Sequence, residues 1–339
     1  MYDYSMKKSE WTIKEKLYQM FFLGLSGTDL HSNPNFVNAL KNNLGGVIFF
    51  TQNILESNQF INLINEIKDI SLTTPFLSID QEGGRVERTL NIHGGNKYLN
   101  ARDAAKKGPE FVKKQTEEIA KELKNFGINM NFAPVLDVDT NPDNPIIAER
   151  SYSPLPDSVA QYGKIAVDTY ITNGIIPVGK HFPGHGETAV DSHKDMPELT
   201  MTLDELEKNH IYPFKKLINI PAVMAAHIHY SCFDNDKIPA SISSNVIEKY
   251  LREKLRYNGL IISDDMVMGG IRGFSSVDAC IMGINAGINM FIFRNSDDET
   301  MQMIETLVQK AQNGIIDMDK INFSLAKISE LKNKFNIQD

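Results

Sequence analysis

Residues able to do chemistry are bunched along this 339-residue chain rather than scattered. Asp80, Glu82, Arg85 and Arg88 share the stretch 80–88. Asp137 and Asp139 follow another apolar run, with Glu149 and Arg150 beyond a loop rich in Pro and Asn. Lys180 and His181 precede Phe-Pro-Gly-His185-Gly, and Asp191-Ser-His193 comes soon after. His227, the pair Asp264-Asp265 and Arg294 close three further runs. Carboxylates and imidazoles are the side chains that exchange protons or attack carbon near neutral pH. Arginine and lysine beside aspartate suit the gripping of hydroxyl groups, because hydrogen bonds with an ionised partner are the stronger kind.

Each cluster also has a plainer reading. Asp80 or Asp264 could cap a following helix, the commonest job of an aspartate in that place. Lys180 and His181 could be a core charge pair and a satisfied core histidine. Arg150 could tether its own loop, and His185, between two glycines, could pack a turn. The same bias at six run ends is hard to obtain from capping alone. A metal site is a further alternative, since three histidines fall within 181–193 and His227 and His229 would share a strand face. Against it, no carboxylate or cysteine stands at a matching short spacing. A Ser-His-Asp hydrolase has less support, because no Gly-x-Ser-x-Gly elbow is present.

The elements that must position these groups are short apolar runs alternating with amphipathic stretches. The runs are 20–25, 46–50, 75–79, 128–133, 175–179, 222–226, 260–263 and 288–293, rich in Ile, Val and Phe, as strands buried on both faces are. Helical periodicity fills 57–70, 102–126, 156–173, 203–218, 244–255 and 298–313. Thr202 and Ser244 stand at N-cap positions, Thr202 with Glu205 in a capping-box pattern. Right-handed crossovers between eight such strands are satisfied most simply by an α/β fold, a single (β/α)8 TIM-type barrel. An open doubly wound sheet is the alternative, but no Gly-x-Gly-x-x-Gly follows the first run to make a dinucleotide site. In a barrel the C-terminal strand ends converge on one mouth, and the clusters lie just after the runs.

Composition narrows the class. Acidic residues outnumber basic ones, 43 to 35, for a net charge of −8, which argues against a nucleic-acid partner. A hydrophobic content of 42% is enough to form a substantial core. Cys232 and Cys280 have neither metal-ligand nor disulfide-framework spacing. The run 20–25 is too short for a signal peptide or a membrane span. A cytoplasmic monomer with no membrane partner is therefore expected, residues 1–339 forming one unit without a second domain.

The motifs Asp-Gln-Glu-Gly-Gly-Arg-Val-x-Arg at 80–88, Lys-His-Phe-Pro-Gly-His-Gly at 180–186, Asp-Ser-His at 191–193 and Ser-Asp-Asp-x-x-Met at 263–268 resemble glycoside hydrolase family 3. The likeness runs in order from about residue 12 to about residue 313 and includes Asn-Phe-Ala-Pro-Val-x-Asp-Val at 131–138. It is greatest to the bacterial β-N-acetylhexosaminidases that act on cell-wall muropeptides. The resemblance implies a retaining glycosidase that removes non-reducing terminal N-acetylglucosamine and takes part in peptidoglycan recycling, with no metal or organic cofactor and a small carbohydrate as its partner. It implies Asp264 as nucleophile, His193 as general acid/base and Asp191 as the carboxylate that orients it. Asp265 then becomes a structural acceptor, a choice the residues alone leave open. Asp80, Arg88, Arg150, Lys180 and His181 match positions that grip sugar hydroxyls, and Met268 would be an apolar wall beside the nucleophile. Relatives often carry a second α/β domain, for which this chain has no room. Asn289 stands where relatives commonly have Asp, and Ser231 where Pro is frequent. A phosphorylase on the same scaffold, a glucosidase or xylosidase specificity, and a non-catalytic sugar-binding barrel are the alternatives.

Overall fold

The computed structural model describes residues 11–188 and 196–337. Among these, eight parallel strands close into a barrel: β1 (Phe21–Leu23), β2 (Gly46–Phe49), β3 (Phe76–Ile79), β4 (Met130–Asn131), β5 (Ile176–Phe182), β7 (Ala222–Ala225), β9 (Leu260–Asp265) and β10 (Met290–Phe293), which returns to β1. Two short strands, β6 (Glu198–Leu199) and β8 (His229–Tyr230), pair with each other outside the wall. The result is a (β/α)8 TIM-type barrel, and each of the eight apolar runs supplies one strand.

Both faces of the wall are buried. Inside the barrel, the Phe22 ring stacks on Phe76 at 6.2 Å and meets Phe132 edge-on at 5.5 Å. Gly46 makes room for it, since a Cβ there would lie 2.2 Å from the Phe22 ring. Outside, the helix Ser57–Ile70 lays Phe60, Leu63, Ile64 and Ile67 on the wall. Phe60 sits edge-on to both Phe49 and Phe126, at 5.0 and 5.5 Å. Each such side chain contributes ~1.5–3 kcal/mol by leaving water.

The differences from the sequence pattern have local causes. The periodic stretch 102–126 is two helices, Ala101–Lys106 and Pro109–Phe126. Gly108, at φ 96°, breaks the first, and Pro109 starts the second, where its missing N–H costs nothing. The stretch 203–218 likewise divides into Leu203–Asn209 and Tyr212–Lys216, the latter with Pro in its first turn. The Thr202–Glu205 capping box is present. Ser244 does not cap; the neighbouring Ser243 hydroxyl accepts from the Val246 amide at 3.1 Å.

Two strands differ in length from their runs. β4 is short because the Asn131 side chain takes over the ladder, its Oδ1 accepting from the Gln81 amide and its Nδ2 donating to the Gln81 carbonyl, both at 2.9 Å. β5 runs on through Phe182, so Lys180 and His181 lie within the strand rather than after it.

Candidate active site

At the C-terminal mouth of the barrel lies a cavity of about 370 Å³. Asp80, Arg88, Arg150, Lys180, His181, Asp264 and Met268 all line it, so the structure brings together every sequence-expected site residue that it describes. Asp191 and His193 lie outside the described residues. Glu82, His185, Asp265 and Arg294 complete the polar lining, and Phe50, Phe132 and Ile292 contribute apolar wall.

The loop after β3 is folded back by a buried glutamine. Gln81 Oε1 accepts from the Arg88 amide at 2.7 Å, and its Nε2 donates to Thr89 Oγ1 at 2.8 Å. Arg88 thereby returns to the mouth, Nη2 lying 3.6 Å from Asp80 Oδ2 and the guanidinium over the Phe50 ring. Lys180 rises between two carboxylates, its Nζ 2.7 Å from Asp80 Oδ1 and 2.6 Å from Glu82 Oε1. Arg150 clamps Glu82 in a fork, Nε to Oε2 at 2.9 Å and Nη2 to Oε1 at 2.8 Å. Burial pushes the Glu82 carboxyl up, but Arg150 and Lys180 outweigh it and hold the group well below the usual range. Burial lowers Lys180 in turn, and Asp80 and Glu82 more than restore it. Glu82, Arg150 and Lys180 therefore keep their charge.

A second buried carboxylate organises β5 and the turn beyond it. Asp137, with no solvent exposure, accepts from the His181 amide at 3.1 Å, the His185 amide at 2.7 Å and His181 Nδ1 at 2.7 Å. Burial raises its carboxyl, but His181 and His185 bring it below the ordinary value. An ionised Asp137 fixes the His181 tautomer with the proton on Nδ1, leaving Nε2 as the ring nitrogen for a ligand. His185 contacts the His181 ring edge-on at 5.7 Å, and its Nδ1 lies 2.8 Å from Thr188 Oγ1. Burial, then His181, push its pKa down to about 4, so it is neutral at pH 7. The turn is tight because Gly186 passes against the neighbouring loop, where a Cβ would fall 1.6 Å from the Val138 carbonyl oxygen. Asn144 ties the same two loops, donating to the His185 carbonyl at 2.8 Å while accepting from the Ile146 and Ile147 amides, both at 2.8 Å.

Across the cavity, β9 presents adjacent aspartates in different settings. Asp265 Oδ2 accepts from Arg294 Nε, and its Oδ1 accepts from the Val267 amide at 3.1 Å. Burial is the main influence on Asp265 and raises its carboxyl. Asp264 has no ion pair among the described residues, and its Oδ1 accepts only from the Asp265 amide, at 2.7 Å. Burial raises this carboxyl too, yet the fields of His181 and His227, the Asp265 amide and the field of Lys180 leave it lowered. Asp264 is therefore an ionised carboxylate with lone pairs to spare.

Two histidines considered as a metal pair are occupied separately. His227 Nδ1 lies 2.6 Å from Ser241 Oγ and Nε2 lies 3.2 Å from the Asp265 carbonyl. His229 belongs to β8, with Nδ1 3.3 Å from the Ile238 carbonyl. Asp139 pairs with Arg102 at 2.8 Å and does not line the cavity. Asn289 accepts from the Ile261 amide at 2.9 Å and from Arg252 Nη2 at 2.7 Å, joining β10 to β9 as an acceptor.

Glu82 and Asp137 hold the residues of the mouth in place, although the sequence pattern gives them no role. The available signal was their place beside Asp80 and before Lys180-His181. Arg294 was likewise noted only as a strand end.

Comparison with known proteins places this geometry in context. The family model for the glycosyl hydrolase family 3 N terminal domain matches residues 12–331. Beta-hexosaminidase A of Pseudoalteromonas piscicida is 33% identical over 320 residues, covering 86% of this chain and 53% of that protein. The Beta-hexosaminidase of Methylococcus capsulatus is 32% identical over 270 residues, covering 78% of this chain and 79% of the relative. Among solved structures, a glycoside hydrolase family 3 beta-N-acetylglucosaminidase from a Paenibacillus species superposes with a TM-score of 0.91 at 32% identity, over 96% of this chain and 63% of that one. The chain thus spans about half the length of the Pseudoalteromonas protein and under two thirds of the Paenibacillus one.

Proposed function

The chain belongs to glycosyl hydrolase family 3, and we propose that it is a retaining glycosidase releasing non-reducing terminal β-linked N-acetylglucosamine. The observation that carries this reading is the contrast at Asp264. It is an ionised carboxylate without an ion pair among the described residues, set across the cavity from a cluster of paired charges. The names of the relatives supply the sugar.

In the proposed reaction, Asp80, Arg88, Arg150, Lys180 and His181 hold the hydroxyls at the end of the sugar remote from the reacting carbon. Asp264 attacks C1 as the C1–O bond to the leaving group breaks, through an oxocarbenium-like transition state, and a glycosyl ester forms. His193, oriented by Asp191, gives its proton to the departing oxygen. It then takes a proton from the water that attacks C1 and frees Asp264. Met268 is the apolar wall beside the nucleophile. Muropeptide fragments met inside the cell are the finer substrate we propose, which places the enzyme in peptidoglycan recycling.

Trapping with a 2-fluoro or 5-fluoro glycoside, followed by peptide mapping, tests reaction class and nucleophile together. A label on Asp264 is expected; a label on another carboxylate, or none, overturns the assignment. Turnover in the presence of phosphate separates the alternative acceptor. Release of a sugar 1-phosphate would make the enzyme a phosphorylase instead.

A further inference from the structure

We propose that the cavity of about 240 Å³ at the N-terminal end of the barrel strands is a binding site for a phosphate monoester. Ile220 and Pro221 lead from it into β7, Gly259 leads into β9, and the helix Met318–Lys334 closes a third side. The site lies at the opposite end of the barrel from the mouth and is independent of the glycosidase reading.

The chain as a whole is acidic, yet this cavity is basic. Arg256, Lys327 and Lys334 line it with a single carboxylate, Glu330, an excess of two positive charges. Glu330 is spent on Lys327, with Oε2 3.0 Å from Nζ, and Lys327 also donates to Asn258 Oδ1 at 2.7 Å. The side chains of Arg256 and Lys334 are exposed and have no ion pair or hydrogen bond among the described residues.

A further cation stands behind the wall. Arg252 donates to the Tyr257 and Gly259 carbonyls at 3.0 and 2.6 Å and to Asn289 Oδ1 at 2.7 Å, all neutral acceptors. Its Nε is buried without a partner. Burial pulls its pKa down to about 10, so it is charged at pH 7, and no carboxylate among the described residues pairs with it. Its field adds to that of the cavity.

Basic residues near helix C-termini are ordinary, because they offset the helix dipole. The backbone of Arg256 is not. The helical segment Asn245–Lys254 ends with the Tyr257 amide donating back to the Leu251 carbonyl at 3.0 Å, and Arg256 takes the left-handed conformation, φ 58°. That position favours glycine, since a Cβ there crowds the following carbonyl. An arginine in this place keeps strain in the backbone, and what it adds is a guanidinium at the cavity.

The charge selects the ligand. A phosphate monoester carries between about 1.5 and 2 negative charges at pH 7, which matches the excess of two. A carboxylate would leave one cation uncompensated. The guanidinium offers paired donors to phosphate oxygens, and the ammonium acts as a point charge. Ile220, Leu260 and Leu331 supply buried apolar lining, which suits an ester with an apolar body better than inorganic phosphate.

Calorimetric titration of the whole chain with phenyl phosphate tests the site. Saturable binding is expected, at least about tenfold tighter than that of benzoate, which has the same ring and one charge. It should also be tighter than that of inorganic phosphate, which lacks the ring. Arg256→Gly suits the left-handed backbone, so thermal melts should show no loss of stability while the affinity for phenyl phosphate falls at least about tenfold. Lys334→Gln should also weaken it. Absence of saturable binding below about 10 mM, or unchanged affinity in either variant, overturns the site. Benzoate or inorganic phosphate binding as tightly as phenyl phosphate overturns the ester as its ligand.

Discussion

The two sides of the cavity hold their charges by opposite means. On the β3–β5 side, contact does it: Lys180 lies against Asp80 and Glu82, and Arg150 forks onto Glu82. On the β9 side, Asp264 stays ionised through the fields of His181, His227 and Lys180 and a single hydrogen bond from the Asp265 amide, with no ion pair among the described residues. A carboxylate locked into an ion pair has its lone pairs spoken for and is a poor nucleophile. The same locking makes a rigid set of donors and acceptors for hydroxyl groups. In the proposed mechanism, the difference separates what must hold still from what must react.

The sharpest way to break the comparison is Asp264→Asn. It should lower turnover by on the order of 10⁴-fold or more, with sugar binding and folding retained, as measured by single-turnover kinetics and calorimetric titration. Wild-type-like rates would mean that the unpaired aspartate is only a structural group. His193→Ala sharpens the reacting side next. Turnover of substrates with poor leaving groups should fall by about 10²–10⁴-fold, and activated aryl glycosides should suffer far less. Equal losses on both would contradict proton donation by that imidazole.

Glu82→Gln probes the holding side. It strips the shared partner from Arg150 and leaves Lys180 with Asp80 alone, so denaturant unfolding should show a loss of about 3–5 kcal/mol. Near-wild-type stability would show that the cluster is not held by contact. The smallest effect concerns His185, which lines the cavity beside His181. Its pKa is depressed to about 4 in the fold, so between that value and the unfolded ~6.5 the unfolded chain binds more protons. Stability should fall by at most about 3 kcal/mol as pH drops through that window, with no further loss from this group below it. His185→Gln should remove that part of the dependence in thermal melts at pH 4 to 7.

The barrel was legible because strands buried on both faces leave unbroken apolar runs, and its charged mouth because charged residues follow those runs. The break at Gly108-Pro109 was missed, because the apolar periodicity of 102–126 runs on across it, although a glycine followed by a proline is the local signal for such a break. What escaped depends on register across the wall. That Glu82 rather than Asp80 holds both Lys180 and Arg150 requires knowing that β5 continues past Gly179. The Asn131 splice between β3 and β4 is equally invisible, because an asparagine that mimics the backbone reads as any polar residue. The cap at Ser243 instead of Ser244 turned on one residue of phase. The spatial relation of Asp191 and His193 to Asp264 lies outside the described residues.

The close approach of Gly186 to Val138, with Asn144 bonded to both loops, has a consequence for anyone who would rebuild this scaffold. The crossover after β4 and the turn after β5 are effectively one part in two pieces. A transplant of residues 185–199 into another barrel would arrive without its socket unless 138–147 travelled with it. A change of length at Gly186 would break the approach to Val138, so the two segments have to be kept together in any redesign.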